Sequence, residues 1–382
     1  KATVYATEMV GSEVSINTIY LKPFTDMEIN DILIRDYQSD TLIYAQRISM
    51  SLLHFSLDSS SVDLGQVTVD HGYFNLIKYR GDSVNNLVYF IERFLKSEDT
   101  SNAVFTIRSN GLELVDGHFN YQNQNVEPSS LNQIDFNHLD ISRISGSFSD
   151  VVVIADSVSV NVDDLCLIEQ SGFRVRQLDA SIVVSSCGVI TESLLLETNE
   201  GVINGRFTMN TDAWSSYSNF LEEVSLDADL VESTVVFNDL AFFTPEVKDL
   251  LTPLHFTGHV TGTINNLKAE VDSLGFLNSG VLKGKVRVKG LPEVNRTFLD
   301  ADISRFYSSF EDALNVNIPS GDSSINLSFP YHIMQLDYVS YRGRFTGFVN
   351  DFVAFGSIKT ALGTAVADIN IKTNDGFDYS GS

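Results

Sequence analysis

Residues that could bind a metal or transfer protons are present in this chain, but their spacing does not bring them together. The seven histidines are dispersed, and the closest pair, His255 and His259, lies in a strand-like segment around Phe256-Thr257-Gly258. Two residues four apart on a β-strand share a face but lie about 13 Å apart, which is too far to bind one zinc ion. We therefore expect histidines on strands and no metal site.

Pairs of acidic residues are the other candidates for chemistry. Asp163-Asp164 and Glu222-Glu223 are adjacent in sequence, and adjacent residues on a strand point to opposite faces. Only Asp300 and Asp302 are therefore expected to share a face, and no motif beside them indicates a substrate pocket. The chain also lacks a Gly-x-Ser-x-Gly elbow, a Walker loop and a GxGxxG turn. The sequence predicts no enzyme and no cofactor.

The two cysteines, Cys166 and Cys187, form no CxxC pair and have no metal-ligand spacing. One disulfide in an oxidising compartment and two buried thiols are both open, and we favour the buried thiols.

Composition indicates an ordered, β-rich and acidic protein. Of the 382 residues, 43% are hydrophobic and 20% are charged, which argues against disorder. Aromatic content is carried by 26 Phe and 14 Tyr against one Trp, and these residue types favour pleated surfaces. The net charge of -25, with Lys and Arg scattered along the sequence, argues against binding to nucleic acid. An acidic, solvated surface is the simplest interpretation.

The elements that must position any functional residue are short strands in which apolar and polar residues alternate. Helical patterns are few: residues 1–10, 213–222 and 245–251, and residues 85–96, where Asn85 is the predicted N-cap. Asn30-Asp31 is interpreted as a turn between two strands.

Short phrases recur along the chain and indicate internal repetition. Gly72-Tyr73-Phe74-Asn75-Leu76 is echoed by Gly117-His118-Phe119-Asn120-Tyr121, and Phe256-Thr257-Gly258 by Phe345-Thr346-Gly347. We expect an all-β fold: an elongated, curved, mostly antiparallel and repetitive β-sheet that forms an open apolar groove, with a few short helices.

One face of this groove is predicted residue by residue. Alternation places Ser159, Asn161 and Asp163 on the outer, polar face. The expected lining of the groove consists of apolar residues from three strands, namely Val158, Val160, Val162, Ile182, Val184, Leu194 and Leu196.

The order of these phrases resembles a known family. The segments Val14-Ser15-Ile16 to Phe24, Ile32 to Asp36 and Asp40 to Ala45 are similar to the N-terminal region of TamB-like proteins of the Bacteroidetes type, which belong to the AsmA-like group. The Gly72 to Leu76 and Asp116 to Tyr121 phrases resemble the strands of that family. The resemblance covers essentially the whole chain, and the order of phrases carries it rather than any single motif.

The resemblance implies an N-terminal AsmA-like unit at residues 1–100 and a repeating β-groove region at residues 101–382. It implies a periplasmic segment tethered to the inner membrane by a helix upstream of Lys1, since this chain contains no stretch of 18 or more apolar residues. It further implies a bridge that carries phospholipids toward the outer membrane, with a linked role in outer-membrane protein assembly. The implied partners are phospholipid acyl chains and an outer-membrane barrel protein.

A structural or adhesive β-rich surface protein, or a polysaccharide-binding module, is the alternative. Such a protein would also be acidic, aromatic-rich and without catalytic residues. Its inner faces would pack against each other, whereas a conduit would leave an apolar trough.

Overall fold

The computed structural model describes most of the chain. The described ranges are residues 13–21, 26–56, 61–96, 106–129, 132–154, 156–243, 247–248, 253–291, 293, 296–314, 317–320, 323–326, 336–348 and 351–372. The helix predicted at residues 1–10 lies outside them, as does most of the helix predicted at residues 245–251.

Contacts divide the chain into two compact units, and each is considered by itself. The N-terminal unit comprises residues 1–185 and 196–199, and the C-terminal unit comprises residues 186–195 and 200–382. The two units therefore divide near residue 185 and not at residue 100. The boundary that the family resemblance implies at residue 100, between an AsmA-like unit and a repeating β-groove region, stays a prediction.

The described part of the N-terminal unit consists of long strands and one helix. Its elements are β1 (Val14–Leu21), β2 (Asp26–Arg35), β3 (Thr41–Ser56), β4 (Ser61–Lys78), α1 (Asn86–Lys96), β5 (Thr106–Asn123), β6 (His138–Ile154), β7 (Ser157–Glu169), β8 (Arg174–Val175) and β9 (Gln177–Ser185). The division between the units passes through the next strand, β10 (Gly188–Glu197).

The C-terminal unit has shorter strands and, among its described residues, one 3₁₀ helix and three one-turn α-helices. Its elements are β11 (Val202–Asn210), a 3₁₀ helix (Trp214–Asn219), α2 (Phe220–Glu223), β12 (Ser225–Val235), α3 (Phe237–Leu240), β13 (Leu254–Thr263), β14 (Asn266–Phe276), β15 (Gly280–Lys289), β16 (Phe298–Ser309), α4 (Phe310–Leu314), β17 (Asn317–Ser320), β18 (Ser323–Asn326), β19 (Tyr338–Phe348), β20 (Asp351–Thr360) and β21 (Gly363–Lys372).

Strand pairing confirms the predicted all-β, mostly antiparallel and open sheet with a few short helices. Strands that follow one another in sequence pair as antiparallel neighbours, for example β13 with β14 and β14 with β15. β4 and β5 instead pair in parallel, because α1 lies in the connection between them, and β8 and β9 both pair with β7. β19 pairs with β16, and β17 and β18 form a separate hairpin between the two.

The helices follow the sequence signals only in part. α1 confirms the prediction at residues 85–96, and the Asn85 side chain caps it by accepting the Val88 amide N–H at 3.2 Å. The 3₁₀ helix and α2 confirm the prediction at residues 213–222. α3 and α4 were not predicted, since each is only about one turn long.

α3 and α4 form an internal structural repeat. Each begins with a phenylalanine that is followed two residues later by a buried aspartate, Asp239 or Asp312. Asp239 accepts the backbone N–H of Gly201 at 2.8 Å, and Asp312 accepts that of Ser279 at 2.7 Å. Both carboxylates therefore satisfy amides of a neighbouring loop, and this repeated device agrees with the repetition predicted from the sequence.

A line of left-handed residues crosses the N-terminal unit. Asp31, His71, Asp116, Arg143 and Asp164, on β2, β4, β5, β6 and β7, have φ between 47° and 55°. Such a residue interrupts the two-residue alternation of a strand, and apolar positions change from odd to even numbers, or the reverse, across each one. The interpretation of Asn30-Asp31 as a turn is therefore wrong, because β2 continues through it.

In the C-terminal unit, a glycine-rich row of opposed positions marks the place where the strands become irregular. Directly opposed positions from β11 to β20 read Gly205, Leu230, Gly258, Val271, Gly284, Ile303, Gly343 and Gly356. Pairing registers shift beside this row on several strands. A Cβ on Gly284 would lie 2.2 Å from the Asp302 carbonyl oxygen, so only glycine fits the close approach of the strands.

Candidate functional site

The predicted lining residues on β7 and β9 occupy opposed positions. Val158 pairs with Val184 and Val160 with Ile182. Val162 is buried and faces Ala180. Directly opposed residues of antiparallel strands project to the same face, so β7 and β9 contribute one apolar patch.

The residues predicted to point away from this patch lie among polar neighbours. Ser159 and Asp163 are exposed. Asn161 is half-buried, donates to Asp150 at 3.0 Å and accepts from the Ser181 hydroxyl at 2.8 Å. Polar partners of this kind are typical of a hydrated sheet face.

Leu194 and Leu196 lie on β10, and both are half-buried. The division between the units falls between them, since Leu194 belongs to the C-terminal unit and Leu196 to the N-terminal unit.

The apolar patch extends across the whole N-terminal unit, which sequence reasoning did not foresee. Directly opposed positions from β1 to β9 read Leu21, Met27, Met50, Val67, Leu112, Phe148, Val162 and Ala180. No polar residue interrupts this row. A second row beside it reads Val62, Ile107, Val153, Val158 and Val184.

The C-terminal unit carries an apolar face of the same kind. One row from β11 to β21 reads Phe207, Ala228, Val260, Ala269, Val286, Ala301, Phe345, Ala354 and Ile369. The next row reads Met209, Leu226, Gly262, Leu267, Val288, Leu299, Gly347 and Phe352. Large and small side chains alternate in the first row, so its surface is corrugated along the direction of the hydrogen bonds.

These faces are only partly withdrawn from water. Ala228, Ala301 and Ala354 are buried, whereas the larger Phe207 and Phe345 in the same row are half-buried. Among the described phenylalanines, only Phe310 belongs to the buried core. Phenylalanine is among the residue types that are most often fully buried in folded proteins. The described part of the chain therefore presents apolar surface that its own packing does not cover.

The opposite face of the C-terminal unit carries a row of charges. Across β11 to β19 the directly opposed residues are Arg206, Asp229, His259, Glu270, Lys285, Asp302 and Arg344. Lys285 donates to Glu270 at 2.5 Å, which lowers the pKa of the Glu270 carboxyl. A hydrogen bond from Arg206, reinforced by one from His259, lowers the pKa of Asp229. Opposite charges alternate here and support the pairing of the strands.

Among the described residues, one set of potential metal ligands lies in and beside this row. The ligand atoms of Asp227, Asp229 and His259 lie within 4.8 Å of one another. Arg206 contacts both carboxylates, so a guanidinium already occupies the position where a cation would bind. His255 contacts Thr234 instead, at 3.1 Å, and does not join the set. The expectation of no metal site stays a prediction.

The two cysteine thiols differ in exposure, and the two aspartates predicted to share a face lie among basic residues. Cys166 is half-buried and Cys187 is exposed, so the expectation of two buried thiols is wrong for Cys187. Asp300 faces Arg287 and accepts the Thr346 hydroxyl at 3.0 Å, while Asp302 faces Lys285. Both aspartates face basic residues on β15, so no isolated carboxylate pair forms.

Comparison with protein-family models, with curated proteins and with solved structures gives no match for this chain. The resemblance to TamB-like proteins is therefore a hypothesis that depends on the sequence phrases alone. Among the helices that the structure describes, none has both the length and the apolar character needed to cross a membrane.

Proposed function

We propose that this chain binds phospholipid acyl chains on the apolar faces of its sheets and is a segment of a lipid conduit between two membranes. The observation that carries the proposal is the uninterrupted apolar row that crosses each unit and remains half-buried at its largest side chains. An acyl chain laid along such a row exchanges water for apolar contact, at about 0.8 kcal/mol for each buried CH₂.

Movement along the rows requires no catalytic residue. Each position offers similar apolar contact, so a lipid passes from strand to strand without a deep minimum, and the direction comes from the membranes at either end. The resemblance to TamB-like proteins supports a periplasmic location, an anchor in the inner membrane and a linked role in outer-membrane protein assembly with a barrel partner. These features belong to the same proposal.

Site-specific crosslinking tests the contact with lipid. A photo-reactive residue at Val160 or Val184 is expected to capture phospholipid from labelled vesicles, because both positions lie in the apolar patch. The same residue at Asn161 is the matched control, since this position follows Val160 on β7, points to the opposite face and bonds to polar groups. Equal capture at all three positions would show that the apolar face has no special role.

Charge substitutions distinguish the conduit from a sealed structural core. Val160→Glu and Leu196→Glu are expected to reduce lipid transfer between vesicles while the protein stays folded, because both side chains are half-buried. In a closed core the same change would bury an unpaired charge and unfold the protein. Transfer and the midpoint of urea denaturation are measured on the same variants. Loss of stability in every one of them would favour the structural or adhesive alternative.

A further inference from the structure

Strand β15 presents only basic residues on its polar face. Its successive polar positions are Lys283, Lys285, Arg287 and Lys289, in a chain whose net charge is -25. The sequence interpretation of scattered Lys and Arg is therefore wrong here, because the two-residue period of a strand gathers these side chains on one face.

Two positions beside this strand also break the rule of alternating charge. Lys268 on β14 lies directly opposite Arg287, and Lys283 lies directly opposite Arg305 on β16. Like charges at opposed positions destabilise strand pairing. We refer to these four residues, Lys268, Lys283, Arg287 and Arg305, as the basic strip.

Neighbouring cations are neutralised, whereas the basic strip is not. Lys285 pairs with Glu270 at 2.5 Å, and Arg344 pairs with Asp300 at 3.5 Å. Within the described residues, no carboxylate forms an ion pair with any member of the basic strip. Asp300 lies directly opposite Arg287 on β16 but pairs with Arg344 at 3.5 Å, so no ion pair offsets the repulsion between Lys268 and Arg287.

The basic strip borders a cleft that two of its members, Lys268 and Arg287, help to line. The cleft has a volume of about 550 Å³, and its lining also includes Thr261, the cations Lys285 and Arg344, and the carboxylates of Glu270, Asp300 and Asp302. The Asn266 side chain accepts the Arg287 Nε–H at 3.1 Å, which orients the guanidinium plane. Thr261 lies directly opposite Lys268 on the other side, so a hydroxyl, an ammonium and a guanidinium follow one another across three strands.

We propose that this cleft binds a phosphate-type oxyanion between Lys268 and Arg287. A planar guanidinium and an ammonium are the groups that proteins use for phosphate oxygens, and a hydroxyl adds a third donor. Binding replaces the repulsion between the two cations with two attractive contacts. The site lies on the polar face and does not depend on lipid transport along the apolar face. A free phosphate and a phospholipid headgroup share this chemistry.

The test uses two phosphate probes and a charge-neutral variant. Inorganic phosphate is titrated into the protein by calorimetry against sodium chloride at matched ionic strength, and flotation is measured with phosphatidylglycerol and with phosphatidylcholine vesicles. The variant is Lys268→Gln/Arg287→Gln. The matched control is Lys359→Gln, which removes an exposed lysine of β20 outside the cleft.

Whichever probe the wild type binds is expected to bind the double variant about tenfold or more weakly, because two charge-assisted contacts are lost. The double variant is also expected to be at least as resistant to urea as the unliganded wild type, since it removes a like-charge pair. If the two residues served only the fold, the double variant would be less resistant to urea. Lys359→Gln is expected to bind as the wild type does.

The two probes identify the source of the phosphate. Binding of inorganic phosphate without flotation assigns a soluble ligand, and flotation with phosphatidylglycerol vesicles that is lost in the double variant assigns a headgroup. If neither probe exceeds its control, or if the double variant binds as tightly as the wild type, the proposal is wrong.

Discussion

Gly343 on β19 and Gly356 on β20 lie directly opposite each other and share one close approach of the two backbones. A Cβ on Gly343 would lie 2.2 Å from the Phe355 carbonyl oxygen, and a Cβ on Gly356 would lie 2.3 Å from that of Arg342. A larger side chain at either position would push the two strands apart and break hydrogen bonds between them. Glycine is therefore sterically required at both positions.

We predict that Gly343→Ala lowers the free energy of unfolding by about 1–3 kcal/mol, the usual cost of forcing extra volume into packed structure. Urea denaturation followed by circular dichroism measures it. Gly275→Ala on β14 is the matched control, because the nearest atom to its Cβ would be 3.5 Å away. Equal effects of the two substitutions would contradict the steric argument.

A second prediction concerns the left-handed residues of the N-terminal unit. Asp116 is exposed and has φ 50°, so Asp116→Val is expected to cost about 1–2 kcal/mol, mainly through backbone strain, because the contact it also loses, with His71 at 3.4 Å, is exposed to solvent. Asp116→Gly is expected to be tolerated, since glycine adopts this conformation freely. Glu113→Val, an exposed position on the same strand, controls for the change in side chain. If Asp116→Val were as stable as the wild type, the argument from backbone strain would be wrong.

The buried Asn86 side chain gives a third prediction. It accepts the Ile77 amide N–H at 3.0 Å and donates to the Asp36 carboxylate at 2.7 Å. Asn86→Ala leaves both groups without this partner in a buried site and is expected to destabilise the protein by about 1–3 kcal/mol. The comparison is Asn17→Ala, which removes a single exposed hydrogen bond to Asp31. Amide hydrogen exchange at Ile77 is expected to accelerate in Asn86→Ala only.

The fourth prediction is a pH dependence that originates at Asp135. Burial raises the pKa of its carboxyl, but hydrogen bonds from the Ser129 and Asn137 amides and from His138 outweigh burial and hold the pKa at about 2, below the ordinary 3.8. Between these two values the unfolded state binds more protons than the folded state. The contribution to stability is therefore complete above the unfolded pKa and is lost as the pH falls toward about 2.

Asp135→Asn removes this titration, so its urea midpoint is expected to fall less steeply than that of the wild type over the same acidic range. Denaturation curves of both proteins at a series of pH values measure the difference. Parallel curves would place the acid sensitivity at other carboxylates.

The sequence predicted the fold class because alternation of apolar and polar residues is a local property, as in Val158, Val160 and Val162. It did not predict where that alternation changes phase. Asp31 and Asp164 each follow another polar residue, as in Asn30-Asp31 and Asp163-Asp164, and nothing in these pairs indicates a left-handed backbone. The conformation becomes evident only when neighbouring strands are aligned. A search for parity changes in the apolar pattern would have located them.

The candidate faces were predictable to a similar extent. Each apolar row requires knowledge of the register, and one residue of slip would place every side chain on the other face. The basic strip was missed for the same reason: Lys268 and Arg287 are distant in sequence, and only the pairing of β14 with β15 makes them opposed. Local pattern gives the strands, and register gives the surfaces.

The order of strand pairing also bears on how the protein is made. From β11 to β16 each strand joins the one before it, so almost every contact is available as soon as the next strand leaves the ribosome. Such a sheet grows from its N-terminal side by addition, without waiting for distant segments. The parallel pairing of β4 with β5 is different, because the chain must first reverse through α1. Nascent chains halted before β5 are therefore expected to leave β4 as an edge strand that is unpaired on one side.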